Sequence, residues 1–108
     1  MSSKFYIEKM LTVSTGHYTE SDDQMLEAIA FDKEPEYNHL TCWVMPTGHG
    51  FIVWVSSDSM EEILVEYREA GFSEAFCNMV NKARELDCNW VRFDCDVPST
   101  DGFQTFDW

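Results

Sequence analysis

The feature that most constrains the fold is a hairpin signal near the middle of the chain. Residues 40–45 and 51–56 are short runs rich in β-branched and aromatic side chains. Between them, Pro46-Thr47-Gly48-His49-Gly50 reads as a five-residue loop whose glycines can take positive φ. The two runs are apolar on both faces. Leu40, Cys42 and Val44 alternate with Trp43 and Met45, and Phe51, Val53 and Val55 alternate with Ile52 and Trp54. Further on, Trp90 faces away from Val91 and Phe93. A sheet with one wet face would instead alternate apolar with polar. The second face therefore calls for a cover: the C-terminal tail folded back, a second copy of the chain, or a partner. Trp43, Trp54 and Trp90 are the aromatic residues expected at such a partner or dimer interface, where aromatic side chains are enriched.

The remaining segments supply helices and two outer strands. Residues 5–15 read as a first strand ended by Gly16, with Leu11 and Val13 alternating with Thr12 and Ser14. Ser21-Asp22-Asp23-Gln24 reads as a capping box that opens a helix with Met25, Leu26 and Ile29 on its apolar side. A polar loop with Pro35 follows. Ser59-Met60-Glu61-Glu62 is a second capping box, and Met60, Ile63, Leu64 and Tyr67 form one stripe behind it. Gly71 stands where a C′ glycine belongs. Ser73 caps a third helix carrying Phe76, Met79, Val80 and Ala83, and residues 89–95 form the last strand before Pro98. Phe103, Phe106 and Trp108 make the tail too apolar to stay in water. The order is β-α-β-β-α-α-β. It predicts one α+β domain over residues 1–108, with a mixed or antiparallel four-stranded sheet and helices on one face. With the last two helices taken as one connection, this is the ferredoxin-like order.

Charge narrows the function classes. Twenty Asp and Glu against seven Lys and Arg give a formal net charge of -13. Such a field repels nucleic acid and anionic lipid and attracts basic protein surfaces. Yet 44% of residues are hydrophobic and 15% aromatic, which is enough for a packed core and too apolar for an acidic disordered tail. Glu62, Glu66 and Glu69 fall at i, i+4 and i+7 on the second long helix, with Glu61 beside them, and span about 10 Å at the helical rise. Arg68 is the one cation near enough in sequence to relieve them. Asp22, Asp23 and Glu27 make a second acidic group. The simpler account of all these carboxylates is a solvated surface; the functional account is a surface that mimics phosphates and occupies a basic groove.

Catalytic chemistry has little local support. Asp94 and Asp96 follow the last strand, and His17 lies beyond the first, so a metal-dependent hydrolase built from these three is the best catalytic constellation available. An Asp capping a turn explains the same acids more simply. His17, His39 and His49 are scattered, and Cys42, Cys77, Cys88 and Cys95 form no C-x-x-C pair, so no metal and no cofactor are expected. No G-x-S-x-G elbow and no phosphate loop occurs. Unpaired cysteines and the lack of an apolar leader or a membrane-length apolar run suit the cytoplasm.

The stretches Leu11-Thr12-Val13-Ser14-Thr15-Gly16-His17 and Trp90-Val91-Arg92-Phe93-Asp94-Cys95-Asp96, with the closing Phe106-Asp107-Trp108, resemble a family of small uncharacterised bacterial proteins of plasmids, phages and other mobile elements. By type, a compact and strongly acidic chain of this length also resembles the anti-CRISPR and other anti-defence proteins of phages. The resemblance implies a bacterial cytoplasmic inhibitor that blocks a basic nucleic-acid-binding surface, for instance on a CRISPR effector complex. The alternatives are a non-catalytic homodimeric interaction module of a mobile element and the metal-dependent hydrolase.

Overall fold

The computed structural model describes residues 5–31, 44–55 and 60–108. Strand β1 (Met10–Ser14) leads through a short 3-10 turn (Thr15–His17) into helix α1 (Glu20–Ala30). Strands β2 (Val44–Thr47) and β3 (Gly50–Trp54) form the hairpin. Helices α2 (Met60–Ala70) and α3 (Glu74–Glu85) follow, and strand β4 (Trp90–Asp94) closes the sheet. The class is α+β and the element order is the expected one. The four strands lie in the order β1-β4-β3-β2, with β1 parallel to β4 and the other pairs antiparallel. The first and last strands are thus direct neighbours, and β1 and β2 form the two edges.

Register sorts the side chains. Val13, Phe93 and Phe51 lie across one face, as do Leu11, Val91 and Val53. This face is buried against Leu26 of α1, Ile63, Leu64 and Tyr67 of α2, and Phe76, Met79, Val80 and Ala83 of α3. These are the helix stripes expected from 3.6-residue periodicity. Fully burying each large apolar side chain stabilises the fold by roughly 1.5–3 kcal/mol before entropy is charged against it. The opposite face carries Met10, Trp90, Trp54, Ile52 and Met45, with Trp54 and Trp90 paired in register and both half-buried.

Local signals were displaced in three places. The ladder of β1 begins at Met10, while Phe5, Tyr6 and Ile7 lie outside it and are exposed. Helix α1 starts two residues earlier than Ser21 allows: Thr19 is the N-cap, and Thr19 and Asp22 exchange the two hydrogen bonds of the capping box. The hairpin closes more tightly than a five-residue loop, because Thr47 pairs with Gly50 and leaves only Gly48 and His49 in the turn. Pro46 sits within β2, where a missing N–H is tolerated on an edge strand. Other signals stand as read. Ser73 caps α3 by accepting from the Phe76 N–H. After α2, the Gly71 N–H donates to Arg68 O and the Phe72 N–H to Tyr67 O, the paired bonds of a Schellman ending, with Gly71 at φ 108. The second capping box begins at Ser59 and the loop spans Pro35; both lie outside the described residues, as do Trp43, Cys42 and His39.

The tail packs down, though not across the outer sheet face. It wraps the end of the sheet where β1 and β4 terminate. The Phe106 N–H donates to Gly16 O at 2.8 Å, and the Trp108 indole N–H donates to Tyr18 O at 3.0 Å. A run of ring contacts links that end to the core: Trp108 on Tyr18, Tyr18 on Phe93, Phe93 on Phe76, and Phe76 on Phe72 and Tyr67. Centroid separations of 4.5–7 Å are the favoured range for such pairs.

Candidate functional site

The end of the sheet wrapped by the tail is also where polar chemistry gathers. Ser14 ends β1, and its hydroxyl accepts the Gly16 N–H at 3.0 Å, which tightens the 3-10 turn. That turn places His17 in the interior, 1% exposed. The Thr100 N–H donates to His17 Nε2 at 2.9 Å, so Nε2 carries no proton, and Nδ1–H donates to Gln104 O, also at 2.9 Å. His17 is therefore a buried clasp that holds the tail in place. The expectation that it could join Asp94 and Asp96 as a metal ligand fails for this reason. Its strand does neighbour β4, with Ser14 opposite Asp94, but both ring nitrogens are spent on tail backbone.

Tyr18 is fully buried beneath Trp108, and its hydroxyl donates to Asp23 Oδ1 at 2.7 Å. Burial, reinforced by the Asp23 carboxylate, holds its pKa far above the ordinary phenol value of 10.0. The folded state thus keeps this proton longer than the unfolded chain does. Stability should be undiminished below pH ~10 and should fall above it, by at most ~1.4 kcal/mol per pH unit from this group. In an alkaline titration followed by phenolate absorbance and circular dichroism, Tyr18 ionisation should coincide with unfolding. Ionisation of every tyrosine before any loss of structure would contradict this.

The tail forms one wall of a cleft of about 380 Å³, lined also by Thr15, Gly16, Asp23, His49, Gly50 and Cys95. On its lip, His49, Asp94, Cys95 and Asp96 bring one ligating atom each to within 4.8 Å of one another. The Cys95 N–H donates to His49 O at 2.9 Å and sets the β3 turn against the end of β4. His49 Nδ1 lies 3.1 Å from Asp96 Oδ2. Asp94 is nearly buried. Its Oδ1 accepts the Asp96 N–H at 2.8 Å, and its Oδ2 lies 3.2 Å from Arg92 Nη2.

A family model described as the C-terminal domain of a family of unknown function, DUF5983, matches residues 10–108. The chain belongs to this family. No curated protein and no solved structure matches it. Among the described residues, the matched region of the DUF5983 domain takes in strands β1 to β4, helices α1 to α3 and the tail that walls the cleft.

The acidic residues fare unequally. Glu61, Glu62 and Glu69 are exposed on α2, and Glu66 on the same helix is half-buried. Arg68 does not relieve them: its Nε and Nη2 donate to Glu74 of α3 at 2.7 and 3.2 Å, and that hydrogen bond raises the guanidinium pKa still further. Glu27 is exposed and Asp23 half-buried beside Tyr18. Asp22 is not a surface residue at all. It is 0% exposed and accepts hydrogen bonds from the Thr19 N–H, the Ser73 N–H and the Ser73 hydroxyl at 2.9, 2.9 and 2.5 Å. It joins the starts of α1 and α3, where negative charge meets the positive ends of both helix dipoles. In the sequence Asp22 is one acid among many, and only the packing of α1 against the start of α3 buries it.

The cleft and the His49–Cys95 proximity were also missed. The signal that could have found them is the hairpin itself: once β4 is laid beside β3, its end must meet the β2–β3 turn. The described cysteines, Cys77, Cys88 and Cys95, are free, and only Cys95 is exposed. Burial pushes the Cys77 thiol up to about 11, so it is a core side chain and not a reactive one. Among the described residues, no helix is long and apolar enough to cross a membrane.

Proposed function

We propose that this chain is a non-catalytic inhibitor that occupies a basic, phosphate-binding surface on a protein partner. In the setting of a mobile element, that partner is a bacterial defence nucleoprotein complex of the CRISPR type. The observation that carries the reading is the exposed glutamate face of α2. Glu61, Glu62 and Glu69 point to solvent on a helix whose one arginine is committed to α3, within a chain of net charge -13. Such a face speeds encounter with Lys and Arg clusters, and the gain fades as salt shortens the Debye length to ~8 Å at physiological strength. The same charge opposes direct binding to nucleic acid. The half-buried Trp54 and Trp90 of the outer face are the candidates for a salt-resistant part of the affinity, toward the partner or a second copy. The bacterial cytoplasm is the compartment this reading requires, and the free cysteines suit it.

The test replaces Glu61, Glu62 and Glu69 together with lysine. All three are exposed, so the variant should fold with stability changed by ~1 kcal/mol or less. Affinity chromatography from bacteria with active defence systems should recover a nucleoprotein complex on the natural chain. Capture by the variant, and inhibition of nuclease interference, should drop at least tenfold. A folded variant that inhibits as well as the natural chain would end this reading.

A further inference from the structure

We propose that His49, Asp94, Cys95 and Asp96 form a binding site for a divalent transition metal of the zinc class. The inference does not rest on the inhibitor reading; it stands on the donor set and how the fold assembles it. His49 comes from the turn of the β2–β3 hairpin, Asp94 ends β4, and Cys95 and Asp96 follow it. The backbone bond from the Cys95 N–H to His49 O locks these segments opposite each other. One imidazole nitrogen, one sulfur and two carboxylate oxygens then lie within 4.8 Å of one another. A tetrahedral zinc with bonds of about 2.0–2.3 Å needs ligand atoms roughly 3.3–3.8 Å apart. The remaining contraction is about 1 Å, and rotamer changes at His49, Cys95 and Asp96, all exposed, can supply it.

The nearly buried member is already oriented. Arg92 holds Asp94 Oδ2 and the Asp96 N–H holds Oδ1, which leaves each oxygen a further lone pair. Support of this kind behind a ligand is what metal sites use to fix ligand geometry. The donor types select the metal. A thiolate and an imidazole favour zinc-class ions, whereas magnesium and calcium take oxygen ligands. Charge agrees: two carboxylates and a thiolate beside one guanidinium leave a surplus that a dication neutralises. On binding, the thiol proton passes to solvent and the metal takes the place of the His49–Asp96 pair. Because His49 and Cys95 also line the 380 Å³ cleft, the ion would sit at its mouth.

Calorimetry of the full chain with Zn²⁺, Co²⁺ and Mg²⁺ tests the site, together with the absorption spectrum of the Co²⁺ form. One Zn²⁺ and one Co²⁺ should bind per chain, the Co²⁺ form should show a thiolate charge-transfer band, and Mg²⁺ should not saturate. His49→Gln and Cys95→Ser should each weaken Zn²⁺ at least tenfold, and Cys95→Ser should abolish the band. Circular dichroism should show both variants folded, since both side chains are exposed. Absence of stoichiometric Zn²⁺ or Co²⁺ binding would overturn the proposal. So would binding that both variants retain unchanged, which would place the metal elsewhere in the chain.

Discussion

Asp22→Ala should lower stability by about 3 kcal/mol, read as a shift of the urea midpoint at unchanged slope. The carboxylate accepts from the Thr19 N–H, the Ser73 N–H and the Ser73 hydroxyl while fully buried. Removing it strands donors that water cannot reach, at about 1–3 kcal/mol for each unsatisfied group. It also removes half of the capping box of α1, and loss of a cap costs about 1 kcal/mol. The hydroxyl of Ser73 can rotate and still cap Phe76, which keeps the total below the sum. For a domain whose whole stability is about 5–15 kcal/mol, this is a large fraction. Asp22→Asn should recover part of the loss, because one oxygen remains and the new NH₂ cannot accept. A loss under about 1 kcal/mol for the alanine variant would show that the two helix starts do not depend on this link.

Gly50→Ala should be about as damaging, for a steric reason. A Cβ at Gly50 would fall 2.0 Å from Phe93 O and 2.9 Å from Phe93 C, with φ at +156°. Both obstacles are backbone, so no side chain can swing aside. Strands β3 and β4 would have to separate at the point where the hairpin turn meets the end of β4. A loss of about 3 kcal/mol or more follows, at the upper end of single-site effects. Gly48→Ala is the control. Nothing lies within 4 Å of a Cβ there, and the change should stay within about 0.5 kcal/mol. Equal thermal midpoints for the two variants would refute the close-approach argument.

Helix α1 shows how far local reading reaches. Ser21-x-x-Gln24 and Thr19-x-x-Asp22 are both acceptable capping boxes on sequence grounds. The second prevails because Asp22, once at N3, also receives Ser73 from a distant helix start. No window around residue 20 contains that information. His17 makes the same point. That its strand could neighbour the one ending at Asp94 is open to inference from two strand signals, whereas the capture of His17 by Thr100 and Gln104 depends on the path of the tail.

What the sequence determined by itself was whatever repeats within a few residues. That includes the apolar stripes of α2 and α3, the Ser73 cap, the Gly71 ending, the hairpin and the α+β order. Periodicity and capping act through neighbours one turn away, so a single segment specifies them. The tertiary structure alone decided that β4 lies between β1 and β3, that Asp22 is interior, and that His49 meets Asp94, Cys95 and Asp96. Those outcomes depend on which surfaces exclude water together and on hydrogen bonds closed between distant segments. A charge or an imidazole carries no mark in the sequence of the side of the core on which it will lie.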